Sequence, residues 1–215
     1  MALDEIRELY DRVAIEYADL FCSDGVLNAE ASYVQELARV GTLTNSRLLD
    51  VGCGPAVYLR LAERAALRYV GVDFSAEMLR VGRNRFPGVC LARADARSLP
   101  MAASVVDLAV AMGSLSHMTN EDFHIAMGEI ARVLRTEGAL LLGDQVGNQP
   151  IRAPYPLATG CLVPVFPRSE EFYCDELTRW GFAVVRTEVR EPGPGEIALR
   201  KVLLWARLSK RGQVL

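Results

Sequence analysis

The stretch Leu48-Leu49-Asp50-Val51-Gly52-Cys53-Gly54-Pro55-Ala56 runs from a short apolar segment through a glycine turn into an amphipathic segment. Strand, tight turn and helix in that order bring backbone N–H groups to the carboxyl edge of a sheet. Glycines at 52 and 54 let the backbone turn sharply and approach a ligand with no Cβ in the way. A dinucleotide fingerprint, G-x-G-x-x-G, requires a third glycine at position 57, which is Val57 here. The turn therefore favours a nucleoside without a diphosphate.

Downstream, Val70-Gly71-Val72-Asp73-Phe74-Ser75 ends a second apolar run and sets a carboxylate 19 positions after Gly54. A carboxylate at such a strand end can accept from both hydroxyls of a ribose. A third run ends in Ala94-Asp95-Ala96, which puts Asp95 in the same crevice. The runs Arg47 to Val51, Arg68 to Val72, Val89 to Ala94, Val105 to Ala111 and Ala139 to Gly143 are short and apolar throughout, as buried parallel strands are. Between them Val57 to Ala66, Ala76 to Arg85 and Glu121 to Arg135 carry the spaced apolar positions of covering helices. That alternation predicts an α/β fold of repeated βαβ units around a mostly parallel sheet.

Upstream lie two helix-like stretches, Leu3 to Leu20 and Asn28 to Val40, parted by the turn signal Ser23-Asp24-Gly25. After the core comes a passage with five prolines, Gly147 to Pro167, then a helix capped by Ser169 and ended by Gly181. The runs Phe182 to Glu188 and Leu199 to Leu208 flank Glu191-Pro192-Gly193-Pro194-Gly195, which predicts a hairpin on the sheet's edge.

Composition narrows the function. Among 215 residues, 24 Lys+Arg nearly balance 27 Asp+Glu, which disfavours a nucleic-acid partner. Five cysteines with no C-x-x-C fit neither a disulfide framework nor a zinc knuckle, so a reducing, cytoplasmic setting is expected. Asp4, Glu5, Arg7 and Glu8 stand where a signal peptide needs an apolar run, and no run of 18 apolar residues predicts a membrane span.

Leu49-Asp50-Val51-Gly52-Cys53-Gly54, Gly71-Val72-Asp73-Phe74-Ser75, Ala94-Asp95-Ala96 and Leu99-Pro100 closely resemble the class I S-adenosylmethionine-dependent methyltransferases. The resemblance continues through Val133-Leu134-Arg135-Thr136-Glu137-Gly138-Ala139-Leu140-Leu141 and the terminal hairpin. It implies a Rossmann-like, seven-stranded, mostly parallel sheet with an antiparallel last strand. Residues 1–42 would form an N-terminal helical lid and 43–215 the S-adenosylmethionine-binding core. The turn at Gly52, Cys53 and Gly54 would hold the methionine part, with Asp50 ordering it. Asp73 would take the ribose hydroxyls and Asp95 the adenine amino group, with Phe74, Met78, Ala96, Met112 and Tyr17 completing the cofactor site. One departure is Ala56, where the family loop often carries a further glycine. The stretch Tyr10-Asp11-Arg12-Val13-Ala14-Ile15-Glu16-Tyr17 resembles the opening helix of the ubiquinone and menaquinone type, which act on small molecules.

Methyltransferases of exocyclic amino groups in nucleic acids carry Asn/Asp-Pro-Pro-aromatic after the fourth strand. This chain reads Ala111-Met112-Gly113-Ser114-Leu115-Ser116-His117-Met118 there, which points to a small-molecule acceptor and supplies no carboxylate for a metal. If the acceptor must lose a proton, His117 is the candidate base, because it follows a core strand end; the alternative is a loop hydrogen bond. Two rival readings remain at this point: a module that binds S-adenosylmethionine without catalysis, and a nicotinamide-dependent oxidoreductase, against which Val57 and the lack of Tyr-x-x-x-Lys both count. Acceptor, methylated atom and oligomeric state, a homodimer included, are not legible.

Overall fold

The computed structural model describes residues 2–41 and 46–209. Three helices come first, α1 (Ala2–Arg12), α2 (Ala14–Phe21) and α3 (Asp24–Gly41), then β1 (Arg47–Val51), α4 (Leu59–Arg64), β2 (Arg68–Asp73), α5 (Ala76–Arg85), β3 (Leu91–Arg93) and β4 (Val106–Met112). The chain continues through α6 (Asn120–Val133), β5 (Leu134–Gln145), β6 (Ile151–Pro154), β7 (Leu162–Val165), α7 (Glu170–Arg179), β8 (Phe182–Arg190) and β9 (Lys201–Leu208).

Seven strands form one sheet in the order β3-β2-β1-β4-β5-β9-β8, and β6 pairs with β7 apart from it. The pairs β1–β2, β1–β4, β2–β3 and β4–β5 are parallel, whereas β9 runs antiparallel to both β5 and β8. The last strand is therefore the antiparallel one, as expected. It is not at the edge: β8 takes that place, and β9 from Val202 to Ala206 is fully buried.

Successive strand residues serve opposite faces because side chains alternate across a sheet. Leu49, Ala109, Leu140, Leu142 and Leu204 pack with Phe123 and Ile130 of α6 and Tyr173 and Leu177 of α7. Their neighbours Leu48, Leu108, Leu141, Leu203 and Trp205 pack instead with Leu27, Val34 and Leu37 of α3 and with α4. Burial on both faces is why these strands read as continuous apolar runs.

Several boundaries differ from the sequence expectation for physical reasons. The first helical stretch is two helices broken at Val13. Asp24 and Gly25 open α3 rather than ending a turn before it. The boundary expected at 42/43 lies outside the described residues, and α3 is no part of a lid, since its apolar face is core. Residues 89–94 shrink to the three-residue β3, a partly exposed edge rather than a core strand. Leu134 and Arg135, expected in a helix, already pair in β5, because an apolar run suits either structure until a neighbouring strand claims it. The proline-rich passage holds the β6–β7 hairpin, whose Ala153, Val163 and Val165 pack against Ile6 and Leu9 of α1 in a third apolar cluster. Ser169 does cap α7, its Oγ accepting from Phe172 N–H at 3.1 Å. Among the described residues no helix is long and apolar enough to cross a membrane.

Candidate functional site

At the carboxyl ends of β1, β2 and β4 a cavity of about 660 Å³ opens beneath α1. Gly52 and Gly54 have φ of +72° and +53°, and Gly52 and Cys53 both donate to Val72 O at 2.8 and 3.0 Å. A Cβ on Gly52 would lie 2.2 Å from that of Ser114, so glycine lets the turn seat itself on the loop after β4. Ala56 takes φ +65°, a left-handed conformation that favours glycine.

Asp73 ends β2. Its Oδ2 accepts from Gly54 N–H and its Oδ1 from Ser75 N–H, each at 2.8 Å. Both oxygens keep a lone pair for a ligand hydroxyl. Burial pushes its carboxyl up to about 6 against the lowering effect of those N–H groups. Phe74, Met78, Ala96 and Met112 supply apolar wall, and Tyr17 reaches in from α2.

Of the twelve residues expected in the site, ten line this cavity; Asp50 and Cys53 do not. Asp50 is 1% exposed in mid-sheet, accepting from Tyr69 O–H at 2.7 Å, and burial raises its carboxyl to about 7. Its side chain thus braces β2 from below the turn. Cys53 is buried, with its Sγ packed towards Gly71, and borders only a smaller inner cavity. Asp95 is in the wall but already engaged. Arg97 donates to its Oδ1 from N and Nε at 2.9 and 3.0 Å, and to its Oδ2 from Nη2 and Nε at 2.6 and 3.1 Å. That guanidinium holds the Asp95 carboxyl below its usual range and also donates to Asp122 at 2.8 Å. The three Arg97 N–H groups leave Asp95 one of its four acceptor sites, so an adenine amino group would share the carboxylate with Arg97. The spacing of two between Asp95 and Arg97 was the available signal for that pairing.

His117 is 4% exposed. Its Nδ1 lies 2.7 Å from Pro164 O, which can only accept, so Nδ1 carries the proton and Nε2 is left as an acceptor. Tyr10 O–H donates to Nε2 at 3.2 Å. Burial lowers the imidazole pKa, which keeps it neutral near neutral pH. Tyr10 was not singled out from the sequence as a site residue; it reaches the site from α1, while Tyr17 comes from α2 beyond the break at Val13. Its ring packs edge-on against Tyr17, Phe74, His117 and Tyr155 at 5.6 to 6.4 Å. His124, by contrast, is paired with Glu176 and stacked on Trp180 at 4.9 Å. Among the described residues no group of His, Cys, Asp and Glu is arranged to hold a metal ion.

The family model described as a methyltransferase domain matches residues 48–138. The chain is 29% identical over 143 residues to a demethylmenaquinone methyltransferase of Renibacterium salmoninarum, covering 66% of this chain and 59% of that one. It is 37% identical over 108 residues to a trans-aconitate 2-methyltransferase of Azoarcus sp. strain BH72, covering 49% and 42%. The chain thus spans less than two thirds of the length of either relative. An S-adenosylmethionine-dependent methyltransferase of Clostridium acetobutylicum superposes with a TM-score of 0.72 over 94% of this chain and all of that one, at 15% identity.

Proposed function

We propose that the chain is a class I S-adenosylmethionine-dependent methyltransferase that methylates a small organic acceptor, a reading supported by the methyltransferase-domain match and the methyltransferases it resembles. The observation that carries this reading is Asp73, set at the end of β2 beside the Gly52–Gly54 turn and facing the same cavity as His117. The cavity volume suits the cofactor, and its donor set suits a nucleoside: a carboxylate with free lone pairs, a bare turn and apolar walls. When bound, S-adenosylmethionine supplies a methyl group on a positively charged sulfur, open to direct displacement.

The remaining work belongs to the chain. Asp73 holds the ribose hydroxyls, the Gly52–Gly54 turn the methionine part, and Phe74, Ala96 and Met112 the base. Leu3 and Ile6 of α1 roof the cavity and exclude water. His117 accepts at Nε2 the proton that an acceptor hydroxyl gives up, once Tyr10 O–H turns aside. A small acceptor is supported by the two relatives, whose names specify demethylmenaquinone and trans-aconitate. A reducing cytoplasm suits five cysteines that are all free thiols.

Calorimetry with S-adenosylhomocysteine tests the reading. The wild-type chain should bind it, and Asp73→Ala should lose about 2 to 4 kcal/mol of that binding. Because Asp73 also holds two backbone N–H groups, the variant should melt lower as well, and its folding is checked by circular dichroism. Unchanged affinity in a folded Asp73→Ala removes the ribose assignment; no affinity in the wild type removes the function.

A further inference from the structure

A second, inner cavity of about 70 Å³ adjoins the first, sharing Tyr10, Met112, Gly113 and His117 with it. Gln145, at the carboxyl end of β5, forms part of its wall and is 3% exposed. The main chain of Gln145 is fully engaged. Its N–H donates to Asp144 Oδ1 at 2.9 Å, and its carbonyl accepts from Tyr173 O–H at 2.9 Å and Arg168 N–H at 3.2 Å. The carboxamide oxygen, however, has no hydrogen-bond partner. A buried carboxamide left unpaired costs free energy unless a ligand completes it.

The charges around this cavity cancel. Lys201, which pairs with Gln145 across the β5–β9 ladder, donates to Glu196. Arg190 donates to both oxygens of Glu196 at 2.7 and 2.8 Å and lies 3.6 Å from Glu30, and Tyr58 O–H donates to Glu30 at 2.6 Å. Two cations thus answer two carboxylates, all largely buried, and a further charge brought in would have no counter-ion. The polar atom of this wall left without a partner is the Gln145 carboxamide oxygen, an acceptor, while His117 Nε2 accepts from Tyr10 O–H at 3.2 Å. A head group of a few heavy atoms fits the volume.

We infer that the inner cavity takes the reacting end of an uncharged, hydroxyl-bearing acceptor, with the Gln145 carboxamide as the residue that recognises it. The inference rests on the methyltransferase reading above and narrows its acceptor to an alcohol or phenol. An aliphatic ammonium group is excluded by its charge at neutral pH, and a carboxylate by the same argument with the opposite sign. Gln145 selects by requiring a donor: a methyl ether of the same shape leaves the carboxamide oxygen unpaired.

The test uses four probes of similar size, phenol, anisole, benzylammonium and benzoate, titrated by ligand-observed NMR into the full chain saturated with S-adenosylhomocysteine. Phenol should bind at least tenfold tighter than each of the others. Gln145→Leu should abolish that preference while S-adenosylhomocysteine affinity stays within twofold. Gln145→Glu, which keeps the shape and an acceptor but adds a negative charge, should gain benzylammonium binding; it carries the test if the leucine variant fails to fold. Absent phenol binding, or anisole or either ion binding as tightly as phenol, overturns the inference. So does a parallel loss of S-adenosylhomocysteine affinity in the variants, which would assign Gln145 to the cofactor's methionine end. Failure of the wild-type chain to bind S-adenosylhomocysteine is a different result and removes the function itself.

Discussion

His117 shows how much of a residue's chemistry is set by what touches it. A free imidazole has two interchangeable nitrogens, and here Pro164 O removes that choice by accepting from Nδ1. The remaining nitrogen is a neutral base in a dry site, and burial holds its pKa below the ordinary value near 6.5. His117→Ala should therefore lower turnover by about 10²- to 10⁴-fold with S-adenosylhomocysteine affinity unchanged. The acidic limb of the wild-type pH profile should fall below pH 6.5, because a lowered pKa keeps the base free to lower pH, and the variant should lack that limb. A few-fold loss with the limb intact would make His117 a structural residue that holds the β7 segment.

Among the elements, the N-terminal helices carry the largest departure from the sequence reading. α1 roofs the cavity and α2 brings Tyr17 to its wall, whereas α3 belongs to the core. The contact that seats α2 comes from far along the chain. Gly195, between β8 and β9, has φ +76°, and a Cβ there would lie 2.0 Å from Leu20 Cδ2. Gly195→Ala combines left-handed strain with that overlap, so it should destabilise the fold by about 1 to 3 kcal/mol. The displaced α2 should also weaken S-adenosylhomocysteine binding through Tyr17. Thermal melts and calorimetry on the variant check both effects; a neutral melt would mean that Leu20 simply turns away.

Over the whole molecule, three buried carboxyls govern how stability depends on pH. Asp50 is raised to about 7 and Asp73 and Asp144 each to about 6, with desolvation the first cause in all three. A carboxyl whose folded value exceeds its unfolded one, near 3.9, keeps a proton that the unfolded chain has released. Its contribution is complete below the unfolded value and is lost as pH rises to the folded one. His117, lowered rather than raised, works in the opposite sense but is a single group. The chain should therefore melt at a higher temperature at pH 5 than at pH 7.5. Asp50 lacks a cationic partner among its contributing neighbours, so Asp50→Asn should flatten the upper part of that slope. A melting temperature that rises from pH 5 to 7.5 would contradict the assignment of Asp50 as a buried acid.

The central strands and helices were legible because their own patterns suffice: β1 and α5 fall at the expected residues, the one buried on both faces and the other opened by the Ser75 cap. So was the cavity at the strand ends, which Gly52, Gly54 and Asp73 line together, since a parallel sheet must bring those ends to one edge. Tertiary structure alone decided the β6–β7 hairpin, whose apolar residues find their partners on α1, more than a hundred positions away. It decided Asp95, whose freedom depends on Arg97, and Asp50, which lies under the turn rather than in the cavity. It also decided Gln145, an ordinary polar residue in sequence whose carboxamide oxygen is buried without a hydrogen-bond partner in the wall of the inner cavity. The physical reason is common to these cases: periodicity and turn chemistry are local, whereas a polar atom's partner, or its lack of one, depends on segments that meet only after folding.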